Sequence, residues 1–169
     1  MASPRTSIRS TRGLTLVEIL VVLGIMAIVG SFGIIVGLDS YRSHLFYTDR
    51  ALLVTALQRA RAEAIGNICN GPSCVDGKPH GVFIEENGNG EVTAFVVFQG
   101  PDYATRDAAF DERFATRSVI RASGISSTTF AQLSGDVSPG AVGEIGLYGD
   151  PGRVSTTTIG AEGQIFWNK

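Results

Sequence analysis

The chain has 169 residues, enough for one membrane segment and one further domain of about 130 residues. Fourteen basic against sixteen acidic residues leave a net charge of −2, which gives no broad electrostatic attraction for nucleic acid. With two cysteines and two histidines, His44 and His80, the ligands for a structural metal site are too few, and no metal or other cofactor is expected.

The first 13 residues hold Arg5, Arg9 and Arg12 and no acid, whereas the remainder carries eleven basic and sixteen acidic residues. From Ile19 to Leu38 there are 20 consecutive uncharged residues. At about 1.5 Å per residue a helix of this length covers about 30 Å, the hydrocarbon thickness of a bilayer. The run exceeds the roughly 7–15 residues of a secretory signal's apolar core and lacks a small-x-small site before polar sequence, so it is expected to remain as an anchor. Basic residues beside a span stay cytoplasmic, which places the amino terminus inside and residues 39–169 outside. Glu18 stands at the edge of the apolar run. A carboxylate inside that edge costs about 2.5–3.5 kcal/mol on insertion scales, which makes Glu18 a candidate functional residue. The structural alternative is a charge marking the interfacial end of an ordinary span. Gly24, Gly30, Gly33 and Gly37 permit close helix approach in lipid, and Gly30 and Gly33 could also permit local bending.

The helix is expected to continue from Asp39 to Ile65, with no proline before Pro72. Leu53, Leu57, Ala60, Ala64 and Ile65 form a broad apolar face for packing, and Gly66-Asn67 supplies the stop. Cys69 and Cys74 follow. An oxidising compartment outside the membrane permits a disulfide between them; two free thiols are the alternative. Strands are expected at Val82–Glu85 and Val92–Phe98, joined through Asn87-Gly88-Asn89-Gly90. Residues 101–117 are charged and mixed and read as a loop or short helix. Two short strands flank Gly124 within residues 118–133. Three more strands cover Ile145–Tyr148, Val154–Ile159 and Gln164–Trp167, with turns at Asp150-Pro151-Gly152 and Ala161-Glu162-Gly163. At least one of Phe166 and Trp167 is expected in a core strand; a partner surface is the alternative.

Gly13 followed by LTLVE at the cytoplasmic edge of a long apolar helix resembles the class III leader of type IV pilins and pseudopilins. The resemblance implies cleavage between Gly13 and Leu14, N-methylation of Leu14, and a subunit-assembly role for Glu18 through the amine of a neighbouring subunit. The family's usual first residue is Phe; Leu14 keeps it large and apolar. The run Ala60-Arg61-Ala62-Glu63-Ala64-Ile65, and the ending with its Asp150-Pro151-Gly152 turn and Gly163-Gln164-Ile165 strand, resemble the GspH/FimT family of minor pilins and pseudopilins. The implied fold is α+β and type IV pilin-like, with a long N-terminal transmembrane and amphipathic helix packed on a C-terminal antiparallel β domain. Its parts would be a removed cytoplasmic leader over 1–13, a transmembrane half-helix over 14–38, an amphipathic extracytoplasmic half over 39–66 and a β-rich periplasmic domain over 67–169.

The implied function is a minor pseudopilin or minor pilin of a type II secretion pseudopilus or type IV pilus, placed near the tip. The implied setting is the bacterial inner membrane, then the filament. Implied partners are other pilins or pseudopilins, a prepilin peptidase, an inner-membrane assembly platform and membrane lipid. The alternative is a DNA-binding minor pilin acting in DNA uptake. It would use Arg106, Arg113, Arg117, Arg121 and Arg153, but Asp102, Asp107, Asp111 and Glu112 are interspersed with most of them. An enzyme is not expected: His44 and His80 are the only histidine bases, and neither has a nucleophile motif beside it.

Overall fold

The computed structural model describes residues 15–72, 74–138 and 140–168. Helix α1 runs Leu16–Ile65. The chain divides into two compact units, one ending at Tyr41 and one covering Arg42–Lys169.

In the first unit Thr15 precedes α1 and caps it. The Glu18 N–H donates to the Thr15 hydroxyl at 3.2 Å, and the Ile19 N–H to the Thr15 carbonyl at 3.2 Å. The spacing Thr-x-x-Glu is that of a capping box, which satisfies amides that have no partner inside the helix. A negative side chain in this turn also suits the positive end of the helix dipole. The apolar side chains that follow, including Leu20, Leu23, Met26, Val29 and Phe32, are exposed. An 18-residue window of this helix reaches a mean hydropathy of 2.9 and is not buried at all. By length and composition it can cross a membrane.

In the second unit α1 turns one face inward. Phe46, Leu53, Ala56, Leu57, Ala60 and Ala64 are buried in a common core with Val82, Ile84, Phe95, Ile120, Phe130, Ile145 and Ile159. Ile65, expected on the buried face, is 41 % exposed. It lies about 100° around the helix from Ala64 and so falls on the flank. The helix stops at the expected place, with Asn67 in the left-handed position (φ 53°). The Ile68 N–H reaches the Glu63 carbonyl and the Asn67 N–H reaches that of Ala64, the paired bonds of a Schellman cap. The Asn67 side chain also accepts from Gln132 Nε2 at 2.6 Å, which ties the cap to a distant loop.

Two four-stranded antiparallel sheets complete the domain. The strands are β1 (His80–Glu86), β2 (Val92–Gln99), β3 (Glu112–Ala115), β4 (Ile120–Ser123), β5 (Ser127–Phe130), β6 (Ala141–Leu147), β7 (Val154–Ile159) and β8 (Ile165–Asn168). One sheet has the order β3-β2-β1-β5 and the other β4-β6-β7-β8. The architecture is the expected long helix with an antiparallel β domain. The β1–β2 hairpin pairs His80 with Gln99 and Glu85 with Ala94, then shifts register at Glu86. At its turn the Asn87 side chain accepts from the Asn89 and Glu91 amides, and Gly90 has a positive φ of 73°.

Residues 101–117 depart only in part from the expected loop or short helix. Ala108–Phe110 form one 3-10 turn, and Glu112–Ala115 become an edge strand. Strand β3 exists because it pairs with β2 and not because of local propensity: Phe95 pairs with Phe114 and Val96 with Arg113. The preceding loop covers the outer face of β1 and β2. Tyr103 stacks on Phe83 with ring centroids 3.7 Å apart and meets Phe98 edge-on. The guanidinium of Arg106 lies over the Tyr103 ring at 3.4 Å and is held by Asp111 at 2.7 Å. This explains why β2 is buried along nearly its whole length.

Phe166 and Trp167 differ from expectation as well. They are 60 % and 47 % exposed, and neither joins the core. β8 is an edge strand, and within it Ile165 is the residue that packs against the core. Trp167 instead lines an open pocket together with Arg50, Ala51 and Val54 of α1.

Candidate functional site

The candidate assembly site is the start of α1. Gly13 and Leu14 lie outside the described residues. Glu18 is in the first helical turn and its residue is exposed. Every described side chain from Leu16 to Phe32 is exposed with it, so the carboxylate stands at the end of a bare apolar surface. Such a surface is stable in lipid or against other helices.

Cys69 and Cys74 are joined in a disulfide, with Cα atoms 5.7 Å apart. The bridge closes the segment just after the helix cap. Beside it, the Gln99 side chain bonds the backbone of Asn70 twice, at 2.7 and 3.1 Å. Gly71, with φ 111°, lies under the Phe110 ring, where a Cβ would come within 2.8 Å of ring carbon.

Of the basic residues weighed for nucleic acid, three are paired with carboxylates. Arg106 pairs with Asp111, Arg113 with Glu85 at 2.8 Å and Arg153 with Asp150 at 3.0 Å. Arg121 lies over the Tyr148 ring at 4.5 Å, and Arg117 is exposed. The run Ala60–Ile65 is occupied with packing. Ala60 and Ala64 are buried, Arg61 donates to the Glu162 carbonyl at 3.1 Å, and Glu63 binds Arg59 at 3.0 Å. Arg59 continues to Glu112 on β3 at 2.7 Å.

His44 is exposed on α1. His80 is 1 % exposed at the start of β1, with Nδ1 3.0 Å from the Lys78 carbonyl and Nε2 3.7 Å from Glu63. Burial holds its pKa below the usual histidine range, against the opposing pull of Glu63 and the Lys78 carbonyl. His80 is therefore neutral in the fold at neutral pH. The unfolded chain takes up this proton near pH 6.5, so the associated stability is present above that pH and is lost as the pH falls below it, down to the folded pKa. Unfolding midpoints at about pH 7.5 and about pH 5.5 should fall more steeply for the native chain than for His80→Gln. Parallel slopes would contradict this.

Asp49 is a residue that sequence reasoning missed. It is fully buried on α1, where its carboxylate accepts from the Arg117 N–H at 2.9 Å, the Ser118 N–H at 2.8 Å and the Ser118 hydroxyl. The signal was its spacing. Phe46, Asp49, Leu53, Ala56, Ala60 and Ala64 recur at three or four residues, so Asp49 sits on the core stripe.

Residues 8–34 match a family model described as the prokaryotic N-terminal methylation motif. No curated protein matches the chain. Among solved structures, the chain is similar to the type IV minor pilin FimU of Pseudomonas aeruginosa strain PAO1 in two crystal forms. The first is 17 % identical, covering 73 % of this chain and 92 % of that one, with a TM-score of 0.48. The second is 15 % identical, covering 78 % and 92 %, with a TM-score of 0.47.

Proposed function

We propose that this chain is a minor pilin or minor pseudopilin: a membrane-inserted subunit that is cleaved after Gly13, methylated on Leu14 and incorporated near the tip of a type IV pilus or type II secretion pseudopilus. The observation that carries the reading is the methylation motif over residues 8–34, coinciding with an exposed apolar helix whose first turn holds Glu18. The extracytoplasmic domain would be periplasmic, an orientation supported by Arg5, Arg9 and Arg12 ahead of the span and by the Cys69–Cys74 bridge. The partners are a prepilin peptidase, the inner-membrane platform and other subunits.

Cleavage would create a cationic amine on Leu14. When helices pack side by side in a filament, the Glu18 carboxylate of one subunit would face the amine of another. Each charge is costly alone in a low dielectric and tolerable when paired, so the pair sets axial register more than it adds stability. Co-expression with a prepilin peptidase should yield a chain that begins at N-methyl-Leu14, read by intact mass and amino-terminal sequencing. An uncleaved chain, or one cut after the apolar run, overturns the reading. Glu18→Gln should still be cleaved yet enter filaments at least about tenfold less often, because it leaves the amine unpaired. Undiminished incorporation would sink the pairing.

A further inference from the structure

A groove of about 460 Å³ opens between the start of the second unit's helix and two loops of the β domain. Arg42 and Leu45 of α1, Arg117 and Val119 of the β3–β4 connection, and Tyr148 of the β6–β7 turn line it. Among the described residues, no carboxylate holds the guanidinium of Arg42 or Arg117, and both residues are exposed. Arg121 adds a third cation, stacked on the Tyr148 ring. The acids nearby are engaged elsewhere. Asp49 is buried under three donors, and Asp150 holds Arg153. In sequence, Asp39 is the one acid between the uncharged run and Arg42.

Two uncharged side chains of the lining are exposed as well. Tyr148 is 57 % exposed and Val119 49 % exposed. Arginines beside an exposed tyrosine and an aliphatic side chain are the composition of a membrane–water interface. Chain length places Arg42 there. Arg42 follows the last residue of the uncharged run, Leu38, by four positions, about 6 Å of helix. The head-group layer outside each face of the hydrocarbon is about 5–8 Å deep.

We infer that this groove seats anionic phospholipid head groups at the outer surface of the membrane, with Arg42 and Arg117 on the phosphate and Tyr148 and Val119 at the acyl boundary. The inference rests on the reading that the uncharged run spans the bilayer. Docking of the domain on the bilayer would restrict its orientation before the subunit leaves the membrane.

The test uses the full chain in nanodiscs, with Tyr148→Trp in a Trp167→Phe background as a single fluorescent reporter. Its emission should be quenched more strongly by head-group nitroxide phosphatidylglycerol than by the phosphatidylcholine equivalent. Arg42→Gln and Arg117→Gln should each reduce that preference about fivefold, the weight of one arginine at an anionic surface. Equal quenching by the two lipids, or none, overturns the inference. So does an equal response to inorganic phosphate in neutral detergent, which would mark a site for a free anion. Protection of the reporter by a short DNA duplex, lost in the same variants, would assign the arginines to nucleic acid instead. Release of the chain from membranes by alkaline carbonate would locate the failure in the span and not in the groove.

Discussion

Replacing Asp49 with alanine should lower the unfolding free energy of the detergent-solubilised chain by about 3–5 kcal/mol, because it removes three hydrogen bonds to a charged acceptor, each worth about 1.5–3 kcal/mol. The native carboxylate is fully buried and receives two backbone amides and one hydroxyl. Alanine would leave those donors without their acceptor, and each unpaired donor in a buried position costs about 1–3 kcal/mol. Asp49→Asn separates charge from shape. Its carboxamide keeps one accepting oxygen, but its NH₂ would face a donor, so an intermediate loss of about 1–3 kcal/mol is expected. The damage should be local first. Asp49 ties α1 to the β3–β4 connection, so amides of Arg117 and Ser118 should lose hydrogen-exchange protection before those of β2. A stability change within about 0.5 kcal/mol for the alanine variant, the range of ordinary surface substitutions, would refute the role.

The same residue shows where sequence reasoning ends. The core face of α1 was legible because apolar residues recur at helical spacing, and Leu53, Leu57, Ala60 and Ala64 are buried as expected. An aspartate on that stripe reads as a surface charge until the partner backbone, 68 residues away, is known. Strand β3 was illegible for a related reason. Glu112-Arg113-Phe114-Ala115 has weak strand propensity by itself, and it is extended because β2 offers a free edge. The hairpin and the last three strands were legible because their turns carry Asn, Gly, Asp and Pro at positions with mechanical meaning, although β6, expected at Ile145–Tyr148, already begins at Ala141. Phe166 and Trp167 misled because hydrophobicity does not reveal whether a strand lies at the centre or edge of its sheet. The candidate site divides along the same line. The motif and Glu18 are local in sequence, whereas the groove around Arg42, Arg117 and Tyr148 is assembled from three distant segments.

Gly163 was legible as a turn residue, whereas Gly149, just ahead of the expected Asp150-Pro151-Gly152 turn, was not, and neither was their unequal importance. Gly149 and Gly163 both have positive φ, 81° and 71°. At Gly149 an added Cβ meets nothing within 4 Å. At Gly163 it would lie 1.9 Å from the Gly135 carbonyl oxygen and 2.8 Å from Arg61 Nε. Gly149→Ala should therefore cost only the left-handed backbone penalty, about 1–2 kcal/mol. Gly163→Ala should add an overpacking cost of about 1–3 kcal/mol, because a backbone oxygen cannot swing aside as a side chain can. The contact joins three elements. Arg61 on α1 donates to the Glu162 carbonyl, and the loop carrying Gly135 is bonded to α1 by the Leu133 amide and the Ala64 carbonyl. Pushing Gly163 outward would strain the Arg61 bond and shift the start of β8. Denaturant unfolding of the two variants should place Gly163→Ala below Gly149→Ala by at least about 1 kcal/mol, with altered Trp167 emission in the former alone. Equal losses would show that the 135 and 163 turns separate freely, and that Arg61 does not clamp the end of the β domain to the helix.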